Sequence, residues 1–358
     1  MSASPCGSIM TPMIKKARPA LLRLLLAADE PGAVRLVRRL LDSGVDHERV
    51  LLGLVAPVMA YVGHLWQHNR LSVAHEHAAS SVAERVVAAV RVHAGARPHR
   101  RDRLVIACPE GEWHTLPPRL LAETLRLQGW PVTFLGAGLP AAHLTVYLQQ
   151  YHPVAVLLSA SLTVRLPQAR RSVLAARRAG VPVLAGGAGF GHDARLALRL
   201  GAHAWASGPS DAAALLHDWP PKEPAHATLE HLADEEHARL CRAIPGLTDS
   251  AMQILREEFP PLHDYDRRQL EATRDDLQHI LNFLAAAVYL DECTVFTEFI
   301  GWLASVLAAR DVPPGSVQPV LAHFQNTLDG RPRTQRILAA GQHALGIALQ
   351  GSPAPPLL

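Results

Sequence analysis

At 358 residues the chain is long enough for two or three domains, each with its own core. A hydrophobic share of 49% with 19% charged residues excludes an intrinsically disordered chain. Thirty-five basic residues, nearly all arginine, against thirty-two acidic ones give a net charge of +3 with no long basic block, which argues against nucleic acid as a direct partner.

Cys6, Cys108, Cys241 and Cys293 are too scattered for a disulfide framework or a zinc site and fit a reducing cytoplasm. Lys15 and Lys16 are not followed by an uninterrupted apolar run ending in a cleavage pattern, so no signal peptide is expected and the localisation is read as cytoplasmic. Residues 17–97 carry helical periodicity, as in Leu21, Leu22, Leu24 and Leu25, then Val50, Leu51, Leu54, Val55, Val58, Met59 and Val62. Four short helices packed as a bundle are the simplest arrangement. Within it, Trp66 precedes Glu76-His77 by ten residues.

The basic stretch Gly95 to Arg101 reads as a linker, after which strand and helix alternate over 102–220. Strands are expected at about 103–108, 131–135, 154–159, 181–185 and 203–206, giving a five-stranded parallel α/β sheet. Ligands of such sheets sit at the carboxyl ends of the strands. Three groups fall there: His114 within Glu110 to Pro117, the turn Ser159-Ala160-Ser161-Leu162-Thr163, and Gly186-Gly187. A neutral imidazole is the commonest protein metal ligand, and its second ring nitrogen needs an acceptor to fix the tautomer. Glu112, two residues before His114, supplies one.

Residues 228–350 read as all-helical, with helices over 230–243, 249–258, 267–290, 292–310, 316–328 and 334–349. The breaks are Pro245-Gly246, Pro260-Pro261, Pro313-Pro314-Gly315 and Gly330-Arg331-Pro332. Ile280 to Ala309 is apolar enough to suggest a membrane span, but Asp291, Glu292 and Glu298 interrupt it, so two buried helices and no membrane partner are expected. Cys293 reads as a small buried hydrophobe among apolar neighbours.

The ordered trio of His114, Ser159 to Thr163, and Gly186-Gly187 resembles the cobalamin-binding fingerprint. That resemblance implies a Rossmann-like domain in which His114 replaces the corrinoid's own dimethylbenzimidazole as lower cobalt ligand. It also implies that a Ser/Thr turn lines the slot for the displaced tail and that the paired glycines let the nucleotide loop approach the backbone. Ser159 and Ser161 both compete for the family's serine, and aligning Thr163 with its threonine favours Ser159. Where the family has Gly three residues after the His, this chain has Pro117 followed by Pro118.

Trp66 with Glu76-His77 resembles the cap bundle of light-sensing adenosylcobalamin repressors, which implies Trp66 over the upper corrin face and Glu76 against the adenosyl group. Gln67 stands where those repressors can have a second axial His, and His68 is one step further on. About sixteen residues precede the cap, so their helix-turn-helix domain is not expected here. In the C-terminal part, Asp291, Phe296, Phe299, Trp302 and Leu303, then Val312-Pro313-Pro314, resemble the globin-related helical domain of the photocobilins. This family binds both adenosylcobalamin and a bilin, so the resemblance implies biliverdin. A bilin needs an apolar slot and polar groups for its propionates and pyrrole nitrogens. His263, Asp264, Tyr265, Arg267, Arg274, His279 and His323 are the polar candidates, and Phe283, Phe296, Phe299 and Trp302 the walls.

The expectation is therefore a non-enzymatic photoreceptor with two small-molecule chromophores, a light-dependent homo-oligomeric state and a separate downstream partner protein. Two alternatives stay open. One is a corrinoid carrier shuttling methyl groups between methyltransferases. The other is a globin-like sensor binding haem through His279 or His323, or an interaction module that binds nothing there.

Overall fold

The computed structural model describes residues 6–95, 102–220 and 229–351. Apart from Gly95, the linker expected at 95–101 lies outside them, as does the expected start of the helical unit at 228.

The chain forms two compact units, residues 1–227 and 228–358. The first unit opens with α1 (Cys6–Leu26), α2 (Glu30–Asp42), α3 (His47–Val50), α4 (Ala56–Gln67) and α5 (Val73–Ala94). A π-type turn over Leu51–Val55 joins α3 to α4, so the bundle has four rods. The turn has an identifiable cause. Pro57 brings no N–H for the carbonyl of Gly53 four residues earlier, and helices deform at such points. Arg18 of α1 supplies the missing donors, from Nε at 3.1 Å and Nη2 at 2.8 Å. Local chemistry also sets the ends: Asp29 caps α2 by accepting from the N–H of Gly32, Ser72 caps α5 by accepting from His75, and α5 stops at Gly95 in the left-handed region. Leu21, Leu25, Val37, Leu51, Leu54, Val62, Val86 and Val87 form the fully buried core. The stretch His47–Gln67 is long and apolar enough to cross a membrane by length and composition, and its buried side is part of this core.

The sheet is built from β1 (Leu104–Ala107), β2 (Val132–Phe134), β3 (Ala155–Ser159), β4 (Val183–Gly186) and β5 (Ala204–Ala206), in the order β2-β1-β3-β4-β5 and parallel throughout. Helices α6 (Leu116–Leu127), α7 (Ala141–Tyr151), α8 (Leu166–Arg178), α9 (Arg195–Arg199) and α10 (Pro209–Leu215) make the crossovers and cover the faces. β1 and β3 are buried along their whole length, as strands covered on both faces must be. The strand order turns back at β1, so a crevice opens at the carboxyl ends of β1 and β3. The bundle and sheet share a core: Leu116, Leu120 and Leu127 of α6 pack into the bundle's apolar cluster.

The second unit contains α11 (Glu236–Glu258), α12 (Arg267–Leu290), α13 (Cys293–Ala308), α14 (Val317–Thr327) and α15 (Pro332–Leu349). The break expected at Pro245-Gly246 does not occur. α11 runs through Pro245, its apolar stripe of Leu240, Leu247, Ala251, Met252 and Leu255 being held by the core. Tertiary burial outweighs the single hydrogen bond lost at a proline. Residues 230–234 form a 3-10 turn rather than the first turns of that helix, because Glu235 is left-handed. The apolar stretch 280–309 is divided by Asp291 at φ 51° into two helices. Cys293 is half-buried, not buried: it is the first residue of α13, beside Arg336, rather than mid-helix. Gly341 lets α15 close on α13, since a Cβ there would lie 2.4 Å from the Phe296 ring.

Candidate functional site

The loop after β1 turns sharply at Gly111, φ 78°, and closes with the N–H of Glu112 on the carbonyl of Pro109 at 3.0 Å. This turn points Glu112 inward, where it is 1% exposed. Four donors meet its carboxylate. Oε1 accepts from the backbone N–H of His114 at 3.0 Å and from His114 Nδ1 at 2.6 Å, while Oε2 accepts from the N–H of Ser161 at 2.8 Å and of Leu162 at 3.2 Å. Glu112 therefore ties the β1 loop to the β3 loop. Burial pushes its carboxyl upward, but the hydrogen bonds from His114 and Ser161 and the His114 charge outweigh burial and hold it below the usual range.

With Nδ1 given to Glu112, Nε2 of His114 is the nitrogen left to bind a metal, on a side chain 54% exposed. The Glu112 hydrogen bond raises the His114 pKa, burial opposes it, and the charges of Glu112 and Glu76 add to the rise. The bundle's α5 contacts the His114 loop where Thr115 Oγ1 donates to Glu84 Oε1 at 2.6 Å. Cys108, just before the loop, is pushed up to about 12, first by burial and then by Glu112, so it stays a neutral thiol.

Ser159 and Ser161 take different places. Ser159 ends β3 and lines a cavity of about 160 Å³, whereas Ser161 reaches the site through its backbone N–H to Glu112. Thr163 begins a half-buried 3-10 turn outside the cavity lining. Gly186, the last residue of β4 and paired in register with both Ser159 and Ala206, lines the cavity together with Gly187. Only glycine fits at 187: φ is 96°, and a Cβ would lie 2.4 Å from the carbonyl oxygen of Ala160. Trp66 is half-buried in the last turn of α4, Glu76 half-buried in the first turn of α5, and His77 exposed beside it. The ring of His68 lies 4.0 Å from that of His64.

Sequence reasoning missed several residues. Pro117, Pro118 and Leu121 of α6 and Ser207, Gly208, Pro209 and Ala212 after β5 also line the cavity. The Ser-Gly-Pro run at the last strand end was the available signal. Arg165 was also missed: its guanidinium lies against Gly111, and its charge acts on His114 to lower the pKa.

The bilin candidates each have a local place in the helical unit. Arg267 pairs with Glu271 at 2.9 Å and Arg274 with Asp249 at 2.6 Å. His323 meets Ser250 Oγ at 2.8 Å, so Arg274 and His323 engage neighbouring residues of α11. Tyr265 lies edge-on to Phe259, and His263, Asp264 and His279 are exposed. Among the wall residues, Phe283 stacks on Phe299 at 3.9 Å, Trp302 lies 5.9 Å from Phe299, and Phe296 is fully buried.

The geometry pairs a metal-ready imidazole, oriented by a buried carboxylate and faced by a helical cap, with a slot at the carboxyl ends of β3 to β5. Residues 18–91 and 102–216 each match a family described as a B12 binding domain. The first unit carries two B12-binding domains. The donor set fits a corrinoid, since His114 would offer one imidazole nitrogen to the metal and Gly186, Gly187 and Gly208 line a slot at the strand ends. The chain is 34% identical over 172 residues to the HTH-type transcriptional repressor CarA of Myxococcus xanthus, a match covering 46% of this chain and 57% of that one. Among solved structures, the monomethylamine corrinoid protein of Methanosarcina barkeri is 18% identical, covering 56% of this chain and 97% of its own with a TM-score of 0.49. A cobalamin-binding protein of Desulfitobacterium hafniense is 19% identical over 56% of this chain and 97% of its own, TM-score 0.32. At these scores the fold of the B12-binding domains stands on their own strand order and register.

Proposed function

We propose that the chain is a light-responsive regulator. It holds adenosylcobalamin between bundle and sheet, with His114 as lower cobalt ligand, and carries biliverdin in its C-terminal helical unit. The observation that carries this reading is the His114 couple: a buried carboxylate fixes Nδ1 and leaves Nε2 for a metal, on a loop that α5 of the bundle holds through the Thr115–Glu84 hydrogen bond. Bound adenosylcobalamin supplies a cobalt–carbon bond that light breaks. Trp66, Glu76 and His77 hold the upper ligand in the dark and exclude water from it. Contacts made by the cap only in the dark state are the differential binding energy that a switch requires. The similarity to a transcriptional repressor supports a regulatory rather than an enzymatic role, and output runs through a change in homo-oligomeric state and a downstream partner protein.

The bilin part rests on the resemblance of the α13 segment to the photocobilin helical domain and on the aromatic cluster of Phe283, Phe299 and Trp302. The deciding experiment is an ultraviolet-visible spectrum of the protein mixed with adenosylcobalamin and biliverdin in the dark, desalted, then exposed to green and red light. A corrinoid band that changes irreversibly and a red band that survives desalting are expected. A bound corrinoid indifferent to light would replace the sensor with a carrier, and a helical unit that takes haem or nothing would remove biliverdin. In His114→Ala, the spectrum of His-on coordination disappears; an unchanged spectrum would remove His114 as ligand.

A further inference from the structure

We propose that His47 and His93 form a second metal site, on the cap bundle and separate from His114, that takes a divalent first-row transition cation such as Ni2+. The site joins three helices. His47 is the first residue of α3, His93 stands in the last turn of α5, and Asp42 is the last residue of α2. Nε2 of His47 and Nδ1 of His93 meet at 3.0 Å, and Nε2 of His93 meets Asp42 Oδ1 at 3.1 Å. As a carboxylate, Asp42 can only accept, so Nε2 of His93 carries the proton and Nδ1 presents a lone pair toward His47. A carboxylate behind a ligating imidazole fixes its tautomer and raises its basicity. It repeats the relation of Glu112 to His114 with the two ring nitrogens exchanged.

The cation enters where the two rings share a proton, which moves to Nδ1 of His47, so none need leave the chain. Two metal–nitrogen bonds of about 2.1 Å across that 3.0 Å gap subtend about 90° at the ion. That angle belongs to tetragonal coordination, which suits Ni2+ and Cu2+, rather than to tetrahedral zinc. Among the described residues no three His, Cys, Asp or Glu side chains converge on a metal, so water fills the remaining positions. The surroundings favour a positive ion. α2 and α5 both end here, and helix C-termini carry partial negative charge. Arg91, two residues before His93, is directed to Glu123 and to the Gly95 carbonyl. The side chains of His93 and Asp42 are 30% and 68% exposed, so an ion reaches the pair from solvent. Once bound, it ties α3 to α5, at the opposite end of α5 from Glu76, and stiffens the helix that holds the His114 loop through Glu84.

The test titrates the full chain with Ni2+ alone by calorimetry and melts it with and without the ion. It needs no corrinoid, so its outcome is independent of the function proposed above. A rise in Tm of about 5–10 °C is expected at a hundredfold excess over Kd. His47→Ala and His93→Ala each leave a single imidazole and are expected to weaken binding by about tenfold or more, and Asp42→Asn by about ten- to a hundredfold. His68, whose ring lies against that of His64 on α4, is the control, and His68→Ala is expected to leave the affinity unchanged. Should a variant lose its fold, carbethoxylation of the parent chain read by mass spectrometry decides instead, with Ni2+ expected to protect His47 and His93. Affinities in His47→Ala and His93→Ala equal to the parent's would overturn the site. So would a loss that follows His68→Ala, or modification of both rings undiminished by the ion. An Asp42→Asn affinity equal to the parent's would overturn the part given to Asp42.

Discussion

The residue that organises the site is Glu112, more than the histidine it holds. Its carboxylate collects four N–H groups from two loops, so its loss leaves buried donors without partners. Glu112→Gln keeps the shape but lacks the charge, and is expected to destabilise the protein by on the order of 2 kcal/mol in urea unfolding. It is also expected to weaken corrinoid binding about ten- to a hundredfold, the usual effect of removing the partner of a metal-ligating histidine. The pH dependence follows from the two directions. Glu112 titrates below its ordinary value of 4.5, so its contribution is complete above that value and is lost as pH falls through the lower folded value. His114 titrates above 6.5, so its contribution is complete below 6.5 and fades as pH rises through the higher folded value. Stability of the ligand-free protein is therefore expected to be greatest between the two, and the Gln variant to show a flatter profile. A profile as steep in Glu112→Gln as in the parent would place the pH dependence elsewhere.

At the scale of elements, backbone constraints decide where the chain can approach itself. Gly187→Ala places a methyl on the Ala160 carbonyl in a left-handed backbone and is expected to cost about 1–3 kcal/mol. Gly208→Ala, in extended backbone with nothing within 4 Å, is expected to leave stability unchanged, so comparing the two melts separates strain from mere bulk. In the bundle, Arg18→Ala strips the Gly53 carbonyl of its donors at a cost of about 1–2 kcal/mol. Pro57→Ala restores an N–H to the helix, so the double variant is expected to recover part of that loss. Strict additivity of the two would show that Pro57 is not why Arg18 is needed.

For the whole molecule, each of the two units closes its own core, around Leu21, Leu54 and Val87 or Leu104 and Leu157 in the first, and Leu284, Phe324 and Ile337 in the second. Residues 1–227 are therefore expected to fold alone and retain the corrinoid, as measured by spectra after gel filtration. Corrinoid that stays bound only in the full chain would assign part of the site to the second unit. Under the proposed function, the elution volume of the loaded full chain shifts between darkness and green light. An identical volume would remove oligomeric change as the output.

The sequence by itself determined what local chemistry can write: five strands within one or two residues of their observed ends, and the His114-Glu112 couple, whose members are two residues apart. The tertiary structure decided what depends on strand order. Placing β1 beside β3 brings residues 112 and 161 together across about fifty positions, so that Ser161 serves through its backbone while Ser159 faces the slot. It decided the unbroken α11 in the same way, because burial against neighbouring helices exceeds what one proline removes locally. A residue's propensity acts within a turn or two of chain, whereas the partner of a buried carbonyl, carboxylate or methyl group is fixed only when distant segments pack.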